Sequence, residues 1–232
     1  MTYVFDIDGT LTPSRLPMDI NFQKWFSNFA EENTVWLITG SDKDKTIEQI
    51  GETLWLKVER AYQSCGNELY ESGKLTYVKD LRLPPDYINT LQDILDKSEY
   101  TARAGNHIEF RTGLVNFSIV GRQCTQEQRE NYYEWDKDKK ERETICKFLN
   151  KTFTEYEAVK GGQISIDIYE KGNNKGQIVE HIKGPFTFFG DHLHPGGNDY
   201  AVKQVADKIG RTDCIFHSVK SWEDTFKILK EL

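Results

Sequence analysis

Apolar positions along the chain fall into two patterns, short unbroken runs and stretches with helical spacing. Tyr3-Val4-Phe5, Thr34-Val35-Trp36-Leu37-Ile38 and Phe186-Thr187-Phe188-Phe189 have the length of strands buried on both faces, while Phe22, Trp25, Phe26 and Phe29 recur on one helix face. Strand, helix, strand predicts a parallel sheet. The pattern continues with a helix from Lys43 to about Leu54, a strand from Arg60 to Ser64, and a hairpin from Asn67 to Val78 turning at Glu71-Ser72-Gly73-Lys74. Around Leu81 the rhythm changes. Pro84-Pro85 opens a helix from about Asp86 to Lys97, and antiparallel strands mixed with helices follow. Strand and helix alternate again from Lys175-Gly176, with a strand from Cys214 to His217 and a last helix capped by Ser221.

This predicts an α/β fold. Residues 1–81 and 173–232 form a parallel-sheet core, and residues 82–172 form an inserted α+β domain. Within the insert, period-two counting is informative. His107 to Arg111 turns at Thr112-Gly113 and returns from Leu114 through Arg122. Ile108 and Phe110 then share an apolar face with Val115, Phe117 and Ile119. His107, Glu109 and Arg111 share the polar face with Asn116, Ser118 and Arg122. Gln163 to Tyr169 repeats the alternation, with Ser165 and Asp167 on the polar side. Thr125 and Gln128 form a capping box that places Arg129 in the first turn of a helix. Arg111, Arg122 and Arg129 thus surround one anion, or else make ordinary ion pairs such as Arg111 with Glu109.

Charged residues at strand ends carry the candidate chemistry. The first strand runs into Asp6-Ile7-Asp8-Gly9-Thr10, where alternate side chains would bring Asp6 and Asp8 to one metal or phosphate. Asp-Gly is also a hairpin signal, but Pro13 and Pro17 interrupt any return strand. Thr39-Gly40 ends the second strand beside a helix cap, where a phosphate could rest. Gly190-Asp191 ends another strand and Asn198-Asp199 begins a helix. In an open α/β sheet these ends meet at one site, with Lys175 beside them. Carboxylates and a phosphate repel by about 4 kcal/mol per unit-charge pair at about 4 Å and an effective dielectric of about 20, so a divalent cation and an ammonium are required. Oxygen ligands suit magnesium, with Asp6, Asp8, Asp191 and Asp199 as candidates; His192 and His194 beside them fit a transition metal less well. Asp6 would attack phosphorus and carry an aspartyl-phosphate, with Asp8 as acid and base and Lys175 as the positive charge.

At 232 residues and a formal charge of −7, the chain can bury a substantial core and has no basic footprint for nucleic acid or an anionic membrane. Cys65, Cys124, Cys146 and Cys214 are widely spaced without a CxxC pair, which predicts reduced thiols in the cytoplasm. No apolar run reaches membrane-spanning length and no secretory leader is recognised, so a soluble intracellular protein is expected.

The aspartate pair, followed in order by Thr39, Lys175, Gly190-Asp191 and Asn198-Asp199, resembles the signature of the haloacid dehalogenase superfamily of phosphotransferases. The blocks Arg111 to Asn116, Ile119 to Arg122, Thr125 to Arg129, Gly161 to Asp167, Phe188 to Asp191 and Pro195 to Asp199 are similar to the eukaryotic-type phosphomannomutases, and with Asp6 to Arg15 they span nearly the whole chain. The resemblance implies a superfamily core with an inserted cap. It assigns Asp6 as nucleophile, Asp8 as acid/base, and magnesium to Asp6, the Asp8 carbonyl and Asp191. It gives phosphosugar binding to Arg15, Arg111, Arg122, Arg129, Ser165 and Asp167. It also implies a hexose 1,6-bisphosphate activator and a homodimer through the cap. Interconversion of hexose 6-phosphate and hexose 1-phosphate, mannose phosphates first, is the expected activity. A magnesium-dependent sugar-phosphate phosphatase is the rival, because Lys171 to Gly176 resembles the superfamily's phosphatases. A non-catalytic phosphosugar-binding protein is the weaker alternative.

Overall fold

A computed structural model describes residues 1–232 as two compact units, Met1–Val78 with Asn173–Leu232, and Lys79–Gly172. The first unit begins with β1 (Thr2–Phe5), α1 (Ile20–Glu32), β2 (Thr34–Ile38), α2 (Lys43–Ile50), α3 (Glu52–Trp55), β3 (Arg60–Gln63), β4 (Glu68–Glu71) and β5 (Lys74–Val78). The second contains α4 (Pro85–Lys97), β6 (Ile108–Arg111), β7 (Leu114–Phe117), α5 (Gln126–Lys139), α6 (Glu141–Thr152), β8 (Tyr156–Gly161) and β9 (Ser165–Glu170). The chain then returns to the first unit with α7 (Ile178–His181), β10 (Phe186–Gly190), α8 (Tyr200–Lys208), β11 (Cys214–Ser218) and α9 (Trp222–Leu229).

In the first unit the sheet order is β11-β10-β1-β2-β3-β4-β5. The strands from β11 to β3 are parallel, and β4 and β5 add an antiparallel hairpin. Both faces are covered, which is why the central strands read as unbroken apolar runs. Phe5, Leu37 and Phe189 pack with Phe22 and Phe26 of α1 on one face. Val4, Trp36 and Phe188 pack with Ile178 and Val202 on the other. Asp19 caps α1, its carboxylate accepting from the Asn21 and Phe22 amides.

Two local expectations are corrected here. The helix expected to run from Lys43 to about Leu54 breaks at Gly51, whose φ of +79° is left-handed, so α2 and α3 are separate. Ser221 stands at the start of α9, but its side chain makes no capping bond.

The second unit has a four-stranded antiparallel sheet in the order β6-β7-β9-β8. The β6–β7 turn has two residues, with Arg111 opposite Leu114 and Glu109 opposite Asn116. Val115, Phe117, Ile164, Ile166 and Ile168 form the apolar side against Tyr87, Leu91, Tyr132, Ile145 and Leu149. Thr125 and Gln128 form both bonds of the capping box. Two departures follow from the sheet's edge and end. Phe110 is 60 % exposed, because β6 is an edge strand with a neighbour on one side only. The strand expected through Arg122 stops at Phe117, and the chain bends at Gly121, where φ is +90° and a Cβ would stand 2.1 Å from the Ala104 carbonyl oxygen. Arg122 still reaches the polar side, because its amide bonds the Asn106 carbonyl at 2.8 Å.

Candidate active site

Asp6 leaves the end of β1 with its amide bonded to the Phe189 carbonyl at 3.0 Å, so it sits level with Gly190 at the end of the neighbouring β10. The chain then curls. The amides of Thr10, Leu11 and Thr12 all donate to the Ile7 carbonyl, and Gly9 bonds Thr12. The Asp-Gly pair therefore makes a closed loop, not a hairpin. Gly9 has φ +78°, and a Cβ there would lie 2.3 Å from Asp191 Oδ2. Backbone shape and close approach both demand glycine at this position.

Lys175 is the cationic centre. It is 1 % exposed, and its Nζ donates to Asp6 Oδ1 at 2.6 Å and to Asp199 Oδ1 at 2.7 Å. The lysine is delivered by a short 3-10 turn, Lys175–Gln177, capped by the Asn174 side chain. Asp199 Oδ2 accepts from the His192 amide at 3.0 Å. His192 Nε2 lies 3.2 Å from Asp191 Oδ2, while Asp191 Oδ1 is buried without a partner. One oxygen each from Asp6, Asp191 and Asp199 lie within 4.8 Å of one another, a group of carboxylates able to hold a cation. Burial pushes the Asp6 pKa up against the pull of Lys175, and the Asp199 and Asp191 charges push the same way. Burial opposes the Lys175 ammonium, but Asp199 and Asp6 together hold its pKa above the ordinary lysine value. Burial also raises Asp191, against His192.

Asp8 departs from expectation. Strand pairing stops at Phe5, so the alternation that would have aligned Asp6 with Asp8 ends before it reaches them. The Asp8 carboxylate lies outside the group formed by Asp6, Asp191 and Asp199. Its Oδ1 accepts from the Arg15 amide at 2.5 Å and from Gln49 Nε2 at 2.9 Å. Gln49 also donates to Thr12 Oγ1 at 2.9 Å. This buried amide was not singled out from sequence, and no local signature marks it, because its partners lie 37 and 41 residues away. Thr39 is buried just beyond β2, its Oγ1 accepting from the Ser41 amide at 3.1 Å, and Gly40 beside it is exposed. Arg15 is exposed with φ +63°. Neither His192 nor His194 belongs to the group of three carboxylates, although His192 borders it through Asp191.

On the polar face of the second unit, Arg111 Nη2 donates to Glu109 Oε2 at 2.7 Å and Arg122 Nε to the same oxygen at 3.0 Å. The ion pair weighed from sequence is thus present, doubled around one carboxylate. Burial opposes ionisation of Glu109, but Arg111 and Arg122 hold its pKa below the ordinary value. Burial lowers Arg122, helped by the positive charges of Arg111 and Arg129. Asp167 is raised by burial, against the Asn116 hydrogen bond and both arginines. Ser165 is buried beside it, and its carbonyl accepts from Arg142 at 3.3 Å. Arg142, also missed in the sequence, is buried with Asp136 at 2.8 Å and further bonds the Gly161 and Gly162 carbonyls.

A family model described as eukaryotic phosphomannomutase matches residues 22–232. The phosphomannomutase of Galdieria sulphuraria is 33% identical over 239 residues, covering 99% of this chain and 93% of that protein. The chain belongs to the eukaryotic phosphomannomutase family. The phosphomannomutase of Saccharomyces cerevisiae is 32% identical over 245 residues, covering 99% of this chain and 92% of that protein. Among solved structures, a trehalose-6-phosphate phosphatase related protein superposes with a TM-score of 0.59 at 18% identity, covering 100% of this chain and 96% of that one. A protein of Streptococcus mutans UA159 gives 0.65 at 15% identity, covering 99% and 97%. At these identities the likeness establishes the fold alone, a parallel-sheet α/β core with an inserted α+β unit.

Proposed function

We propose that this protein interconverts hexose 6-phosphate and hexose 1-phosphate, mannose phosphates foremost, through a phosphoryl group carried on Asp6. The observation that carries the reading is the buried Lys175 ammonium bonded to both Asp6 and Asp199, with Asp191 beside them. A lysine so enclosed keeps Asp6 Oδ1 fixed and offsets the charge that a phosphoryl group brings. The other Asp6 oxygen is then the nucleophile toward phosphorus. Asp8, held at Oδ1 by Gln49 and the Arg15 amide, donates a proton to the leaving sugar oxygen and takes one from the attacking oxygen.

The acidic group fits magnesium, since its donors are carboxylate oxygens and Asp191 Oδ1 lacks any other partner. Asp6, Asp191 and Asp199, with the Asp8 main-chain carbonyl, would hold the ion. Magnesium supplies neutralisation of phosphate charge there.

On residues 79–172, Arg111, Arg122, Arg129, Ser165 and Asp167 bind the phosphosugar; on the other unit that role falls to Arg15, Thr39 and Gly40. A hexose 1,6-bisphosphate primes Asp6, and the cap joins two copies into a homodimer. Exposed Phe110 and Phe148 on that unit support an apolar contact there. The proposed setting is the cytoplasm; no helix is long and apolar enough to cross a membrane.

The test is incubation with mannose 1-phosphate, magnesium and a trace of hexose bisphosphate. Isomerised sugar is the expected product. Inorganic phosphate alone would replace the mutase with a phosphatase that uses the same Asp6.

A further inference from the structure

The carboxylate of Asp167 is held from two sides by groups to which no function has yet been attached. Asn116 on β7 stands directly opposite Asp167 on β9, and its amide nitrogen donates to Asp167 Oδ1 at 2.5 Å. Asn116 is itself buried, and its own Oδ1 has no partner. A buried oxygen without a donor is unfavourable, so this side chain is poorly explained as a device for stability alone. What it secures is the direction of its neighbour.

The opposite flank is steric. Gly161 on β8 pairs with Ser165, and a Cβ added to Gly161 would lie 2.4 Å from Asp167 Oδ2. Gly161 does not have a left-handed φ, so glycine is needed here for space and not for backbone shape. Arg142 fixes this flank from behind through the carbonyls of Gly161, Gly162 and Ser165. One Asp167 oxygen is therefore bonded and the other is packed against a Cα without a side chain. Arg111 and Arg122 both act electrostatically on the same carboxylate.

We infer that Asn116 and Gly161 are positioning residues that lock the Asp167 carboxylate in one orientation as the acceptor for a hydroxyl of the bound sugar. They thereby set discrimination among hexose phosphates that differ at that hydroxyl. The inference rests on the reading of this face as the phosphosugar site. Sugar hydroxyls are recognised sharply only when the acceptor is fixed, because a free carboxylate adapts to either epimer. The arginines, which attract the phosphate, are not hydrogen-bonded to this pair.

The experiment measures KM and kcat for mannose 1-phosphate and glucose 1-phosphate in Asp167→Ala, Asn116→Ala, Gly161→Ala and the Asn116→Ala/Asp167→Ala double variant. Asp167→Ala is expected to raise KM about tenfold or more. Asn116→Ala and Gly161→Ala each raise KM several-fold with kcat within about twofold, and both narrow the preference between the two sugars. The double variant is no worse than Asp167→Ala, since the amide has nothing left to orient. Competition by inorganic phosphate stays unchanged, which a general loss of folding would not allow. If Asp167→Ala leaves KM unaltered, the phosphosugar reading of this face fails and the inference with it. If Asp167→Ala raises KM while Asn116→Ala and Gly161→Ala do not, or if the double variant multiplies the single effects, only the inference fails. Gly161→Ala acts from the other strand, so poor folding of Asn116→Ala would not rescue the idea.

Discussion

The two charged centres of this molecule are built to opposite specifications. Around Lys175 every partner is buried or nearly so, and one ammonium is shared by Asp6 and Asp199. Around Glu109 the side chains are partly open, at 35 % for Arg111, 19 % for Arg122 and 38 % for Glu109. Breaking a buried pair by removing one partner costs about 3–5 kcal/mol, whereas an exposed pair contributes about 0–1 kcal/mol. The first centre therefore cannot rearrange cheaply, which suits phosphoryl transfer. The second can exchange its internal carboxylate for an incoming phosphate at little cost, which suits recognition.

The contrast can be broken most sharply at its rigid end. Asp6→Asn is expected to lower turnover by about 10⁴-fold or more while the protein still folds, measured by product formation beside a circular dichroism spectrum. Retained activity would end the nucleophile assignment. Lys175→Met leaves Asp6 and Asp199 facing each other without a cation, so unfolding in urea should reveal a loss of about 3–5 kcal/mol together with lost activity. A variant as stable as the parent would show that the pair is not the rigid element described. At the open end, Arg122→Ala should weaken use of the phosphosugar by about 2–5 kcal/mol in kcat/KM with an unfolding midpoint close to that of the parent. An unchanged kcat/KM would remove Arg122 from the anion site.

The smallest effect tests the claim of an exchangeable carboxylate. Glu109→Gln should cost less than about 1 kcal/mol at neutral pH. Because the two arginines hold the folded Glu109 pKa below its ordinary value, its contribution is present above the ordinary carboxylate pKa and disappears as pH falls through the lowered one. Denaturant midpoints of parent and variant should therefore converge in acid. A gap that widened in acid would reverse the sign and defeat the assignment.

Much of this was legible from residue order, for identifiable reasons. Buried parallel strands advertise themselves as apolar runs, and two-face alternation places Glu109, Arg111, Asn116 and Asp167 on one side of the second sheet, as the strand register has them. The sorting worked even for Arg122, although the strand ended at Phe117, because an irregular segment still bonds to Asn106. Alternation misled at Asp8, where the chain had already left the sheet and the Ile7 carbonyl gathered the following amides into a loop. Gln49 and Arg142 could not be read at all. The partners of Gln49 lie 37 and 41 residues away, and Arg142 joins nearby Asp136 to the main-chain carbonyls of Gly161 and Gly162, so neither lone polar side chain carries a period by which to find it.

Gly9 joins two properties that are usually separable, the path of a loop and the capacity of an acid beside it. Were a methyl group to replace its hydrogen, the Asp191 carboxylate would have to shift, because the added carbon would lie 2.3 Å from Oδ2. The room available to one of the three acids is thus limited at a residue that contributes no carboxylate of its own. Transplanting the acids alone onto another turn would carry over the charges without the room they occupy.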